Sequence, residues 1–165
     1  GQLDFINLVK SVVSIPVLRK DFIISEYQVW ESFYIGADAI LLIADAIEYE
    51  LLSSLNSLAT ELGMHVLIET HDIKNINKIN LLNPNIIGIN CRNLKTMETH
   101  LDWFNDAIND LPSNIIKVAE SGIHLDSHLK TIEKLGYDAA LIGSSLMKTK
   151  TPGHALAKLL NRSPK

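Results

Sequence analysis

Short apolar runs alternate along this chain with longer stretches in which apolar residues recur at helical spacing. Leu3, Leu8, Val9, Val12 and Val13 predict an amphipathic helix over 3–13. Ile15 to Leu18 reads as a buried strand, with Pro16 near its start where proline is tolerated, ending in Arg19-Lys20-Asp21. A helix follows over 26–35, with Val29, Trp30 and Phe33 on one face and Gly36 as its stop. Residues 39–43 form the next strand. Leu51, Leu52, Leu55, Leu58 and Leu62 stripe a helix over 48–62 that Gly63 ends. Residues 64–68 are a strand leading to Glu69, and Asp72 caps a helix reaching about Leu82. The strand over 85–89 runs into Asn90-Cys91-Arg92, and a helix lies near 101–111. The last units are a strand at 115–120, a helix at 126–135 stopped by Gly136, a strand at 139–143 and a helix at 152–160. Asn161 to Lys165 reads as a loose end.

This is strict βα alternation with six strands, each apolar on both faces as buried parallel strands are. No linker or low-complexity segment interrupts it, so 1–165 reads as one domain. A doubly wound sheet and a (β/α)8 barrel both alternate in this way. The doubly wound form favours Gly-x-Gly-x-x-Gly after the first strand, which is absent here. A barrel brings polar residues from several strand ends to one rim. Here Lys20, Glu69, Asn90, Arg92, Glu120 and Ser144 recur at such ends. The expected class is therefore α/β, a (β/α)8 barrel incomplete at about six units. Two of its strands end in Glu120-Ser121-Gly122 and Gly143-Ser144, where adjacent backbone N–H groups can hold a phosphate.

Composition narrows the function classes. Of 165 residues, 47% are hydrophobic and 21% charged, which is ordinary for a globular domain. A net charge of −4 gives no footprint for nucleic acid. Cys91 is the single cysteine, so an internal disulfide is impossible and a reducing cytoplasm is expected. No apolar run approaches the ~20 residues that span a bilayer, and no signal-peptide pattern opens the chain, which starts at Gly1.

Taken singly, the strand-end residues have plain readings. Lys20 suits a solvated strand end, Glu69 a helix cap, and Gly143-Ser144 a turn with an N-cap. Glu120-Ser121-Gly122 stands out, because Glu is disfavoured in strands and glycine follows at once. His124 and His128 are four apart, but no Glu sits beside His124 and no third ligand is in view, so they read as a solvated face. Cys91, Trp30 and Trp103 read as packing.

Together the motifs point further. Pro16-Val17-Leu18-Arg19-Lys20-Asp21-Phe22-Ile23-Ile24, Leu67-Ile68-Glu69, Ile87-Gly88-Ile89-Asn90-Cys91-Arg92-Asn93-Leu94, Val118-Ala119-Glu120-Ser121-Gly122-Ile123 and Leu141-Ile142-Gly143-Ser144-Ser145-Leu146-Met147 occur in order. In this the chain, from about Gly1 to Leu156, resembles indole-3-glycerol phosphate synthase, a (β/α)8 enzyme of tryptophan biosynthesis. The resemblance implies a lyase. It would convert 1-(2-carboxyphenylamino)-1-deoxyribulose 5-phosphate to indole-3-glycerol phosphate, CO2 and water, with no metal or organic cofactor. It implies Lys20 as general acid, Glu69 as general base and Glu120 as a further active-site carboxylate. It also implies substrate binding by Asn90, Arg92 and Ser121, ring contacts from Phe22 and Leu41, and a phosphate cradle at Gly122, Gly143 and Ser144.

The resemblance also implies an absence. The six units match the family's strands three to eight; its first two, with a catalytic Lys–Glu pair and an N-terminal helix, have no counterpart here. Open sheet edges at 16–20 and 139–143 would then invite self-association or pairing with an N-terminal fragment, and the chain alone would turn over little or no substrate. Two other readings stay open: another phosphate-binding (β/α)8 enzyme such as phosphoribosylanthranilate isomerase, or a non-enzymatic remnant.

Overall fold

In a computed structural model describing residues 2–93 and 96–161, the chain clusters into two compact units, Gly1–Ile87 and Gly88–Lys165. Gly1, Leu94, Lys95 and residues 162–165, which include most of the loose C-terminal end, lie outside the described residues.

The first unit is built on three parallel strands in chain order: β1 (Leu18–Arg19), β2 (Ala39–Ile43) and β3 (His65–Thr70). The register pairs Arg19 with Ile40 and Val66, and Ile43 with Glu69. Residues paired in this way share a face, so alternation puts Leu41, Leu67 and Glu69 on the face opposite Arg19. Helices α2 (Glu26–Tyr34) and α3 (Tyr49–Glu61) bury Val29, Leu52, Leu55 and Ala59, joined in the core by Ile40, Leu42 and Ile68. Burial at ~25 cal/mol per Å2 of apolar surface is what holds these layers together. Asp72 accepts a hydrogen bond from Lys74 N and so caps the next helix, but that helix is broken. A 3-10 turn (Ile73–Asn75) precedes a short α4 (Ile76–Asn80) that buries Ile76 and Ile79.

Three expectations need correction here. The first helix, α1 (Asp4–Lys10), is shorter than 3–13 and buries none of its residues. The first strand is not 15–18. Pro16 has no N–H to give, and Val17 N donates to the Asp38 carboxylate rather than to a strand ladder. Trp30 does not pack inward; it is half exposed and meets the edge of Phe33.

In the second unit, which β4 (Ile86–Asn90) enters across the boundary, β5 (Ile116–Glu120) pairs in parallel with β6 (Ala139–Leu141). Cys91 N, just past β4, donates to Glu120 O at 3.0 Å. Helices α5 (Trp103–Ile108), α6 (Asp126–Leu135), α7 (Ser144–Met147) and α8 (Pro152–Leu159) complete it. Phe104 and Tyr137 meet edge to face in its core, where the Tyr137 hydroxyl donates to Phe104 O. Burial pushes that phenol well above its usual range. Gly136 ends α6 as expected, at φ +96°. The expectation that every strand is apolar and buried on both faces fails at β6: Ala139 is exposed, and Ala140 and Leu141 are half-buried. The strand also stops at Leu141, two residues early.

Candidate active site

Lys20 follows β1 directly, and alternation turns it away from the side that Arg19 takes. Its ammonium reaches the Glu69 carboxylate on β3, with Nζ 3.2 Å from Oε2. The lysine side chain is 44% exposed and the glutamate only 1%, so an accessible cation meets an embedded anion. Leu41 lies between them on β2, in the same face of the sheet and fully buried. Phe22 is exposed, two residues beyond Lys20. This face of the unit thus joins an accessible ammonium, an embedded carboxylate and the buried Leu41.

The end of β3 carries a feature that sequence reasoning missed. Asp45, just past β2, accepts from Thr70 Oγ1 at 2.8 Å, His71 N at 2.6 Å and Asn75 Nδ2 at 2.6 Å. Ala44 N donates to Glu69 O at 2.9 Å. The loop after β2 is thereby fastened to the residues flanking Glu69. Asp45 stands two residues after the strand predicted over 39–43, near the place the other strand-end polar residues take, and that is the signal the sequence offers.

In the second unit, Asn90 is buried and its Oδ1 accepts from Arg92 N at 3.0 Å. Arg92 is half-buried and bridges to Thr99 in an antiparallel contact. Glu120 is 1% exposed at the end of β5. The chain then takes two left-handed residues in succession, Ser121 at φ +70° and Gly122 at φ +65°. For a serine this conformation is strained by roughly 1–2 kcal/mol. Gly122 has a second constraint: a Cβ there would lie 2.8 Å from Cys91 Sγ and 3.1 Å from Leu101 Cδ2. Cys91 is therefore a packing residue, as expected. Its burial pushes the thiol up to about 11, against the opposing pull of the Arg92 charge.

Ser145 Oγ donates to Ile123 O at 3.1 Å and ties the loop after β6 to the loop after β5. Gly143 and Ser144 are exposed beside it, with open space where a Gly143 side chain would be. His128 does not form a metal pair with His124. Its Nδ1 lies 3.3 Å from Gly122 O and 3.4 Å from His124 N, so it packs against the same loop. Among the described residues no cluster of three or more His, Cys, Asp or Glu is arranged to hold a metal, and no helix is long and apolar enough to cross a membrane.

Comparison with known proteins adds the following. The profile of the family described as indole-3-glycerol phosphate synthase matches residues 1–159. The indole-3-glycerol phosphate synthase of Mycobacterium sp. (strain KMS) is 41% identical over 160 residues, covering 97% of this chain and 59% of the relative. That of Sulfurimonas denitrificans is 43% identical over 159 residues, covering 96% and 60%. This chain thus spans about 60% of the length of the curated relatives it matches. Among solved structures, 3-hexulose-6-phosphate synthase from Salmonella typhimurium superposes with a TM-score of 0.78 at 14% identity, over 94% of this chain and 76% of that one, a likeness of fold alone. The βα order and the family match bear out the expected class: α/β, an incomplete (β/α)8 barrel.

Proposed function

This chain belongs to the indole-3-glycerol phosphate synthase family, and from that premise we propose that it carries the general acid and general base of the synthase reaction, Lys20 and Glu69. The observation that carries the reading is the 3.2 Å contact between Lys20 Nζ and Glu69 Oε2, made by strands whose sequences lie 49 residues apart. In the proposed chemistry, the ring carbon bearing the carboxylate attacks the ketone carbon of 1-(2-carboxyphenylamino)-1-deoxyribulose 5-phosphate. The Lys20 ammonium gives its proton to the ketone oxygen as the bond forms. Loss of CO2 restores the aromatic ring. The new hydroxyl then leaves and takes up a proton from solvent to become water, while Glu69 takes the proton from the neighbouring carbon as the double bond forms; solvent returns a proton to Lys20. Each such proton transfer contributes about 10²–10⁴ in rate.

The other residues that the family resemblance implies take further roles in the same proposed reaction. Phe22 and Leu41 give apolar contact to the aromatic ring. Asn90, Arg92 and Ser121 bind the polar part of the substrate, with Glu120 as a second carboxylate of the site. Backbone N–H groups at Gly122, Gly143 and Ser144 take the phosphate. The Ser145–Ile123 bond supports that assignment, because it fixes the two loops together.

The relatives extend beyond the matched region by about two fifths of their length. We therefore propose that this chain pairs with a polypeptide carrying that remainder and turns over slowly without it. In support, α1 buries nothing, while Phe5, Leu8 and Val9 on it, and Val12 just past it, lie exposed. Exposed apolar side chains that recur at helical spacing with nothing buried beneath them suit an interaction surface. Light scattering after size exclusion checks this: a chain that stays monomeric at every concentration and ignores the added remainder sinks the pairing.

Fluorescence titration of the purified chain with indole-3-glycerol phosphate tests the site. Saturable binding abolished by Ser144→Asp is the expected result. If neither the chain nor its assembly with the remainder binds that ligand, the synthase reading fails.

A further inference from the structure

Arg19 is a buried cation, 6% exposed, on the side of β1 opposite Lys20. Its Nη1 donates to Gln28 O at 3.2 Å and to Ser32 Oγ at 2.9 Å. Its Nη2 lies 2.8 Å from Glu31 Oε2 and 3.3 Å from Asp21 Oδ2. Ser32 is itself fully buried and donates to Gln28 O at 2.6 Å. One guanidinium therefore fastens the end of β1 to three residues of α2. It also joins the two residues that flank Lys20 in sequence.

That arrangement answers a mechanical question. β1 is only two residues long, and its register with β2 rests on Leu18 and Arg19. Lys20 is half exposed and flexible, with several rotatable bonds between its backbone and the Glu69 carboxylate. With Arg19 and Asp21 both held on the helix side, strand alternation leaves Lys20 the other side, toward Glu69. We infer that Arg19 is a positioning residue that sets the direction of Lys20 by clamping both of its neighbours to α2. Its consequence for catalysis rests on the proposed synthase reading; the clamp itself does not.

The competing role is purely structural: Arg19 would hold α2 on the sheet and leave Lys20 indifferent. Carbon-13 NMR separates the two on the full chain. The lysines are reductively dimethylated with labelled formaldehyde, which keeps the positive charge, and the Lys20 signal is assigned by its loss in Lys20→Arg. Glu69→Gln is then introduced with and without Arg19→Leu. The expected result is a chemical-shift change at Lys20 on Glu69→Gln in the parent chain, and loss of that response when Arg19 is replaced. An equal response in both backgrounds overturns the proposal, and so does no response in the parent. If Arg19→Leu fails to fold, Glu31→Gln and Ser32→Ala each remove one partner of the guanidinium. A reduced response in these variants supports the clamp and an unchanged one overturns it. The measurement needs no turnover and no substrate, so it stands or falls independently of the ligand titration.

Discussion

The ends of β3 and β6 meet their tasks in opposite ways. At β3, Glu69 and Thr70 are each 1% exposed, and Asp45 grips the next residues through three hydrogen bonds. At β6 the strand has an exposed first residue, and Gly143 and Ser144 stand open to solvent. A side chain that exchanges a proton needs a fixed position and a low-dielectric setting, where burial and a nearby charge set its behaviour. A loop that grips an anion through backbone N–H groups needs access, and its donors are fixed by the chain path. The difference accords with the proposed roles, proton transfer at the embedded end and anion binding at the open one.

The largest expected effect comes from a glycine pair in the second unit. Gly122 is left-handed and packs against Cys91 and Leu101, whereas Gly143 has a negative φ and nothing within 4 Å of a built Cβ. Gly122→Val should cost about 2–5 kcal/mol, combining left-handed strain with overpacking. Gly143→Ala should change stability by less than about 0.5 kcal/mol, as open surface sites do. Urea midpoints measure both. Cys91→Ala added to Gly122→Val should return part of the loss, since Cys91 Sγ is the nearest clashing atom.

Next is the alkaline limb of stability. The folded Cys91 thiol holds its proton up to about 11, whereas its unperturbed value is 9.0. Between those values the unfolded chain binds fewer protons, so stability falls as pH rises through that window and is level below it. Tyr137, raised for the same reason of burial from an ordinary value of 10.0, adds to the fall from about pH 10 upward. The expected loss is on the order of 2 kcal/mol. Cys91→Ala should flatten the pH 9–10 part of the curve and leave the Tyr137 part above it. A drop of equal size in that variant would remove Cys91 as its source.

At the β3 end, Asp45→Ala should cost about 1–2 kcal/mol by freeing three donors, part of which water recovers because Asp45 is exposed. Amide hydrogen exchange at His71 should speed up while β2 stays protected. A uniform speeding would mean global loss rather than a loosened loop.

Much of this contrast was legible in sequence, and the rest has identifiable reasons. Strand interiors and the αL stop at Gly136 follow from apolar runs and a glycine that must turn the chain. Lys20 and Glu69 were visible as polar residues ending apolar runs. Their contact was not, because it depends on parallel register across β2. Arg19 read as part of a charged strand end, since nothing local says that Gln28, Glu31 and Ser32 will surround it. The early end of β6 and the exposure of Trp30 depend on which neighbours cover them, a tertiary fact with no local signature.

A small stability effect is expected where the functional effect should be largest. Lys20→Met removes one half of the Lys20–Glu69 pair. Two forces oppose each other. Taking a cation away from a buried carboxylate is destabilising, by several kcal/mol where both groups are enclosed. But the Lys20 side chain is 44% exposed, its attraction is screened by water, and ordering it consumes side-chain entropy. Exposed pairs are worth about 0–1 kcal/mol, and Glu69 has interactions besides Lys20. The screened value should win, so Lys20→Met should shift the urea midpoint by the equivalent of under about 1 kcal/mol. On the proposed synthase reading, the same change should lower turnover by the chain paired with the remainder by about 10²-fold or more. A large stability loss with turnover retained would recast the pair as a strut of the sheet, and the embedded end of β3 would lose its claim to the chemistry.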